Sequence, residues 1–306
     1  MLCVFSYNFN MKVLISPANY ENALDLININ TDYLIIGQEG FSVRKNYDFS
    51  LEELEKIISQ KKNSKILVLV NRIFFEEDID SLTKYLFNLS KLNIDGIIFA
   101  DFGVIQICNE QNLKFNFFYN PETLVTNYGS FDFYLRNKIN NVFVSRELRK
   151  KEVLEILDNK NQMKVGIQTA GYSFIMESKW KMIENFNQEY NLQIPTNKKL
   201  FLSEETRNFP TIIYQDKYGT YLYTAYSLST IRFLNELNKL DYLYIDSFLH
   251  DGNWILEITK LYKQAITNPT DIVKYESLEK QICKNESVNN GFLGDTKDMV
   301  YLRDEK

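Results

Sequence analysis

Three arginines, Arg44, Arg72 and Arg146, stand just beyond short apolar runs, and their guanidinium forks match the geometry of carboxylates and phosphates. Together they could bind an anion. Around them the same run ends carry Gln38, Glu39 and Ser42, then Asn71, Asp101, Asn120 and Glu122, then Thr123, Thr126, Asn127 and Glu147, and last Gln168, Thr169 and Asp246. A site of this composition would hold an anionic ligand on arginine and orient it with neutral amides and hydroxyls. Loops are polar in any case, and Arg146–Glu147 also reads as a structural pair. Other chemistries fare worse. The chain has one histidine, His250, which excludes HExxH metalloproteases and any mechanism needing two imidazoles. Its three cysteines, Cys3, Cys108 and Cys283, are far apart and form no CxxC, so no disulfide scaffold, zinc ribbon or self-sufficient iron–sulfur site is expected and no metal site is assigned. A Cys108–His250 thiol–imidazole pair is weighed against a plainer reading, in which Cys108 lies on the apolar face of its helix. His250, beside Asp251 and Gly252, reads as a solvated or capping residue. No P-loop, GxGxxG or nucleophile elbow is present.

The elements that must position these residues alternate regularly. Strands are expected at Lys12–Ser16, Tyr33–Gly37, Ile66–Val70, Gly96–Ala100, Phe115–Tyr119, Val142–Ser145, Lys164–Gln168 and Tyr242–Asp246. Amphipathic helices fall between them, at Tyr20–Leu26, Leu51–Lys61, Asp78–Leu92, Val104–Gln111, Gly129–Lys138, Lys150–Asp158 and Ser178–Tyr190, with a last helix at Trp254–Ala265. Continuous apolar runs suit strands buried on both faces of a parallel sheet. Eight of them with intervening helices fit an α/β fold of the (β/α)8 TIM-barrel type, whose sites form at the C-terminal strand ends. An open, doubly wound sheet is the alternative. The stretch Asn191–Asn235 breaks the rhythm and reads as an insertion between strands seven and eight, with a hairpin turning at Lys217–Tyr218–Gly219. Residues 11–268 are thus expected to form the barrel, and 269–306 a C-terminal appendage packing on it, with a small strand in the closing GFLGDTKDMVYL.

Composition sets outer limits. Apolar residues make up 45% and charged residues 25% of the 306, which is ordinary globular composition. The net charge of −5 leaves no global basic footprint for nucleic acid. Lysine and arginine runs such as Arg149–Lys151 read as solvated helix faces, and most of the 20 tyrosines and 22 phenylalanines as core, with some able to stack a base. No targeting signal or membrane-length apolar run is seen, and a reducing, cytoplasmic location is expected.

Several segments at the strand ends resemble the peptidase U32 family, the collagenase-like proteases. They are GFSVR (Gly40–Arg44), VN (Val70–Asn71), DGIIFADFGVI (Asp95–Ile105), ETLVTNYGSFDFY (Glu122–Tyr134) and VSREL (Val144–Leu148). The likeness continues through Tyr214–Leu237, similar to the family's ED-x-x-G segment, and NGFLGDT (Asn290–Thr296). Three departures stand out. Ala170–Gly171 replaces the family's His-Gly, YIDSF (Tyr244–Phe248) replaces a KIEGR-like motif, and YSFIMESKWKMIENF (Tyr172–Phe186) lacks the cysteines with which longer members bind a [4Fe–4S] cluster. The resemblance implies a short, cluster-free member of the branch that makes 5-hydroxyuridine at the tRNA wobble position with prephenate as hydroxyl source. It implies a longer, cluster-bearing paralogue as partner, and tRNA reached through that partner. On this reading Arg44, Asn71 and Arg146 bind the anionic ligand, Asp101 and Glu147 orient the arginines or bond the ligand, and Thr123, Asn127 and Gln168 add polar contacts. The catalytic residues are left unassigned. A collagenase-like peptidase and a non-catalytic scaffold for the longer paralogue are the alternatives.

Overall fold

Apolar runs that can be buried on both faces account for the centre of the molecule. In a computed structural model, which describes residues 9–205, 209–284 and 286–294, they form β1 (Lys12–Ile15), β2 (Tyr33–Gly37), β3 (Lys65–Val70), β4 (Gly96–Phe99), β5 (Phe117–Tyr119) and β6 (Ile139–Phe143). β7 (Lys164–Ser178) follows, and after an antiparallel excursion of β8 (Leu200–Leu202), β9 (Thr211–Gln215) and β10 (Thr220–Ser229) comes β11 (Tyr242–Ile245). Strands β1 to β7 pair in parallel in sequence order. β11 then pairs in parallel with both β7 and β1, closing an eight-stranded barrel. Closure rules out the open sheet. Between the strands run α1 (Tyr20–Asn28), α2 (Leu51–Gln60), α3 (Ile79–Leu89), α4 (Gly103–Glu110), α5 (Phe131–Arg136) and α6 (Lys150–Asp158). α7 (Met182–Tyr190) lies in the excursion and α8 (Gly252–Thr267) follows β11.

Side-chain alternation divides the apolar residues. Val13 and Ile15 of β1 point to the helix shell, and Leu14 points into the lumen with Tyr33, Leu67, Ile98, Phe118, Phe143 and Tyr242. The lumen is a packed core, with Tyr242 edge-on to Tyr33 at 5.8 Å between ring centres. At the N-terminal end one device recurs three times. Asp32, Asp95 and Asp241 accept the N–H of the second residue of a neighbouring strand, from Val13, Ile66 and Val165, at 2.9–3.1 Å. Each also meets a lysine, Lys12, Lys61 or Lys160. These carboxylates satisfy donors that the barrel's end would otherwise leave unpaired, a structural use of charge at the face opposite the site.

β7 departs most from expectation. It was expected to end at Gln168 and a helix to start at Ser178, but it continues through Ser178, and α7 begins only at Met182. Gly171, with φ +91°, permits this: a Cβ there would sit 1.8 Å from the Asp246 carbonyl oxygen, so the strand can cross the end of β11 only without a side chain. Beyond it, β7 pairs antiparallel with β10, then β9 and β8, laying a four-stranded sheet over the barrel mouth. The expected hairpin is present, with the Asp216 N–H bonded to the Gly219 carbonyl at 3.0 Å. The inner face of this sheet packs Ile212, Tyr221 and Tyr223 against Val43 and Phe248. β6 also starts earlier than expected, at Ile139 rather than Val142.

The C-terminal segment holds a further helix, α9 (Ile272–Ile282), so Trp254–Ala265 is not the last helix as expected. Its strand is β12 (Ser287–Asn289), parallel to β10. In the GFLGDTKDMVYL stretch, Gly291–Leu293 is a single 3-10 turn, and Asp295 onward lies outside the described residues. Glu279 ties α9 down: it is buried and bonded to Ser229 of β10 and to the Tyr262 hydroxyl of α8 at 2.8 Å.

Candidate functional site

The loops leaving β2, β5 and β6 converge under the extended part of β7. Arg44 donates from Nη2 to Glu122 Oε1 and from Nη1 to Glu177 Oε2, both at 2.5 Å. Arg146 donates from Nη1 to Glu122 Oε2 at 3.1 Å, so Glu122 bridges the two guanidiniums. Both also stack on Phe174 of β7, with Arg44 Cζ at 4.1 Å and Arg146 Cζ at 5.3 Å from its ring centre. Arg44 (φ +57°) and Glu122 (φ +66°) both occupy left-handed backbone, which non-glycine residues adopt only when the surroundings hold them there. Asn71 does some of that holding: its Oδ1 accepts the Val43 N–H at 3.0 Å, fixing the turn before Arg44.

Burial opposes the charge on Arg44, but the field of Glu122, with Tyr223 and Glu177, outweighs it and holds the guanidinium pKa above its usual value. Burial raises Glu177, and Arg44 only partly offsets this. Asp246, at the end of β11, lies deep in the mouth. Burial and then the charge of Glu122 push its carboxyl up to about 7, against the Phe248 N–H that it accepts at 3.1 Å. Arg146 Nη2 is buried with no partner. Arg146 lines a recess of about 10 Å³ shared with Asn120, Glu122, Gln168, Tyr244 and Asp246, and a second recess of about 50 Å³ lined also by Glu147, Ser173 and Thr224. Neither admits a nucleobase or a dicarboxylate while Glu177 and Glu122 hold the arginines. An anionic ligand would have to take a carboxylate's place on a guanidinium.

The expected site residues therefore divide. Arg44, Arg146 and Gln168 come together at the mouth, with Asn71 behind Arg44 and Glu147 exposed at the rim. Gln168 is buried and bonds across the bend, from Nε2 to the Tyr172 carbonyl at 3.0 Å. The others serve their own loops. Asp101 accepts the Gly103 N–H at 2.7 Å, where α4 begins. Asn127 is exposed and accepts the Gly129 N–H at 3.0 Å. Thr123 follows Glu122 in a turn closed by its own N–H on the Pro121 carbonyl. Arg72 pairs with Asp78 and shares no partner with the other arginines. Glu122 and Asp246 were legible as strand-end residues but not as members of one cluster. Glu177 and Phe174 were missed because they fell in the connection expected between a strand ending at Gln168 and a helix starting at Ser178, where the structure instead continues β7.

His250 is not solvated. It is buried between the rings of Tyr172 and Trp254, at 4.5 and 3.7 Å, with Nε2 3.2 Å from Glu286, and Asp251 is the residue that caps α8. Cys108 lies in α4 with its thiol pushed up to about 12 by burial, and it does not meet His250. A roomier cleft of about 730 Å³ lies along α8 and α9, but His250 and Glu286, at its edge, already bond each other. Among the described residues no cluster of three or more His, Cys, Asp or Glu side chains could hold a metal. No helix among them is long and apolar enough to cross a membrane.

A closed (β/α)8 barrel whose polar strand ends meet under an added antiparallel sheet defines an α/β-barrel protein with a candidate site at the C-terminal face. Within that class, residues 18–300 match the model of peptidase family U32, and the chain belongs to that family. It is 27% identical over 267 residues to tRNA hydroxylation protein P2 of Bacillus subtilis, covering 83% of this chain and 85% of that one. It is 26% identical to an uncharacterized protease of Methanocaldococcus jannaschii over 92% of this chain and 73% of that one. It is also 27% identical to tRNA hydroxylation protein P1 of Bacillus subtilis, over 51% of this chain and 37% of that longer one.

Proposed function

We propose that this protein is a cytoplasmic subunit of a tRNA wobble-uridine hydroxylation system that takes its hydroxyl group from prephenate. The observation that carries the reading is the likeness to tRNA hydroxylation protein P2 along most of both chains. The mouth suits the proposal chemically. Arg146 keeps one buried guanidinium nitrogen without a partner, and a carboxylate of a prephenate-like ligand or a tRNA phosphate would satisfy it by displacing Glu122 or Glu177. Asp246 would oppose such an anion when ionised and cease to do so when protonated. Asn71 would act by positioning Arg44 rather than by touching the ligand.

An iron–sulfur cluster does not suit this chain's own donors. Of its three cysteines, Cys108 and Cys283 are buried at α4 and at the end of α9, and burial raises both thiols, to about 12 and about 11. On this proposal the cluster belongs to a longer family member acting as partner. With a net charge of −5, most of the tRNA affinity would come from that partner as well. A peptidase role would need an activated nucleophile or a metal-bound water, and among the described residues the mouth shows no histidine or cysteine and no group of three metal-ligating side chains. The test is nucleoside mass spectrometry of tRNA from cells whose sole copy carries Arg146→Ala. Loss of 5-hydroxyuridine derivatives with the folded protein still present is expected; an unchanged tRNA profile would remove the mouth from the function.

A further inference from the structure

Half of the large apolar residues exposed among the described residues fall between positions 175 and 209, in the excursion over the mouth. Trp180 is 73% exposed, Tyr190 62% and Phe201 58%. Phe201 and Leu202 stand exposed on β8 itself, at the edge of the excursion.

The edge of the sheet indicates what covers it. β8 pairs with β9 on one side, and its other side is the end of the sheet among the described residues. Leu200, Phe201 and Leu202 carry no proline, charge or bulge of the sort that shields an edge strand. An antiparallel edge strand is self-complementary about a two-fold axis, so the natural occupant is the same strand of a second copy. The flanking charges fit that arrangement. The sequence Lys198-Lys199-Leu-Phe-Leu-Ser-Glu204-Glu205 is basic before the strand and acidic after it. Antiparallel pairing with Phe201 opposite Leu202 of the partner subunit sets Lys198 opposite Glu205 of the partner subunit, twice by symmetry.

We infer that this protein forms a two-fold homodimer through β8, continuing the antiparallel sheet from one protomer into the next. The dimer seam lies on the far edge of the excursion from β7, so the arginine cluster is not part of it. The inference does not depend on the tRNA reading.

Light scattering on the purified full chain over a concentration series tests it. The expected mass is twice the 36.2 kDa of the chain. Lys198→Glu turns two attractions into two repulsions and should raise the dimer dissociation constant about tenfold. The double variant Lys198→Glu with Glu205→Lys should restore it, which separates pairing from any loss of folding. A monomer throughout the series overturns the inference, and so does a dimer that ignores the single change or is not rescued by the double one.

Discussion

Replacing Glu279 by glutamine should stabilise this protein, and increasingly so as the pH rises. Glu279 is 2% exposed and lies between Ser229 and Tyr262. The Tyr262 hydroxyl has one proton and two oxygens within reach, the Thr169 carbonyl at 2.9 Å and Glu279 Oε1 at 2.8 Å. If the phenol donates to the carbonyl, the contact with Glu279 is satisfied by a proton on the carboxyl. Burial acts in the same direction, lifting Glu279 from 4.5 to about 7 against the two hydroxyls. Its folded-state pKa thus exceeds its unfolded one. Below pH 4.5 both states hold the proton and nothing is lost. From there to about 7 the unfolded chain releases the proton first, and stability falls. Above 7 the full penalty applies, about 3 kcal/mol for a gap from 4.5 to about 7. Glutamine reproduces the neutral acid, its NH₂ donating to Tyr262 and its oxygen accepting from Ser229. Urea unfolding of both proteins from pH 5 to 8.5 reads the effect. The variant should gain little at pH 5 and about 3 kcal/mol at pH 8.5. A variant less stable at every pH, or a difference that does not change with pH, would refute the reasoning.

Two other perturbations probe the mouth. Arg44→Ala leaves Glu177 without its cation and Glu122 with Arg146 alone, and it should lower stability by about 3–5 kcal/mol in urea at pH 7. Acidification to pH 5 should recover part of that loss, because burial already favours the protonated form of Glu177; equal losses at both pH values would contradict the pairing. Gly171→Ala combines a φ of +91° with a clash on the Asp246 carbonyl, and denaturation should show a loss of about 3 kcal/mol or more. A loss under 1 kcal/mol would mean that β7 does not cross β11 as described.

Much of the barrel was legible because its signal is local. YLIIG and ILVLV are too apolar to be anything but buried, and the helices between such runs show their own amphipathic faces; the structure adds caps to them, such as the Ser50–Glu53 capping box opening α2. The extension of β7 was not legible. Its residues Tyr172–Ser178 mix apolar and polar types without clean alternation, and they form a strand only because β10, some 50 positions on, pairs with them. The same long-range event hid half of the site. Arg44 and Arg146 stood out by type and position, but that Glu122 bridges them, and that Glu177 and Phe174 close over them, depends on where β7 goes after Gly171. Asp101 and Asn127 misled for the opposite reason: short polar side chains at loop starts bond their own backbone as readily as a ligand.

Whether this chain serves tRNA hydroxylation is read by nucleoside mass spectrometry of tRNA from cells lacking the gene, with and without its return. 5-Hydroxyuridine and its derivatives should disappear on deletion and reappear on complementation. An unchanged profile in a strain with no second family member able to substitute would contradict it.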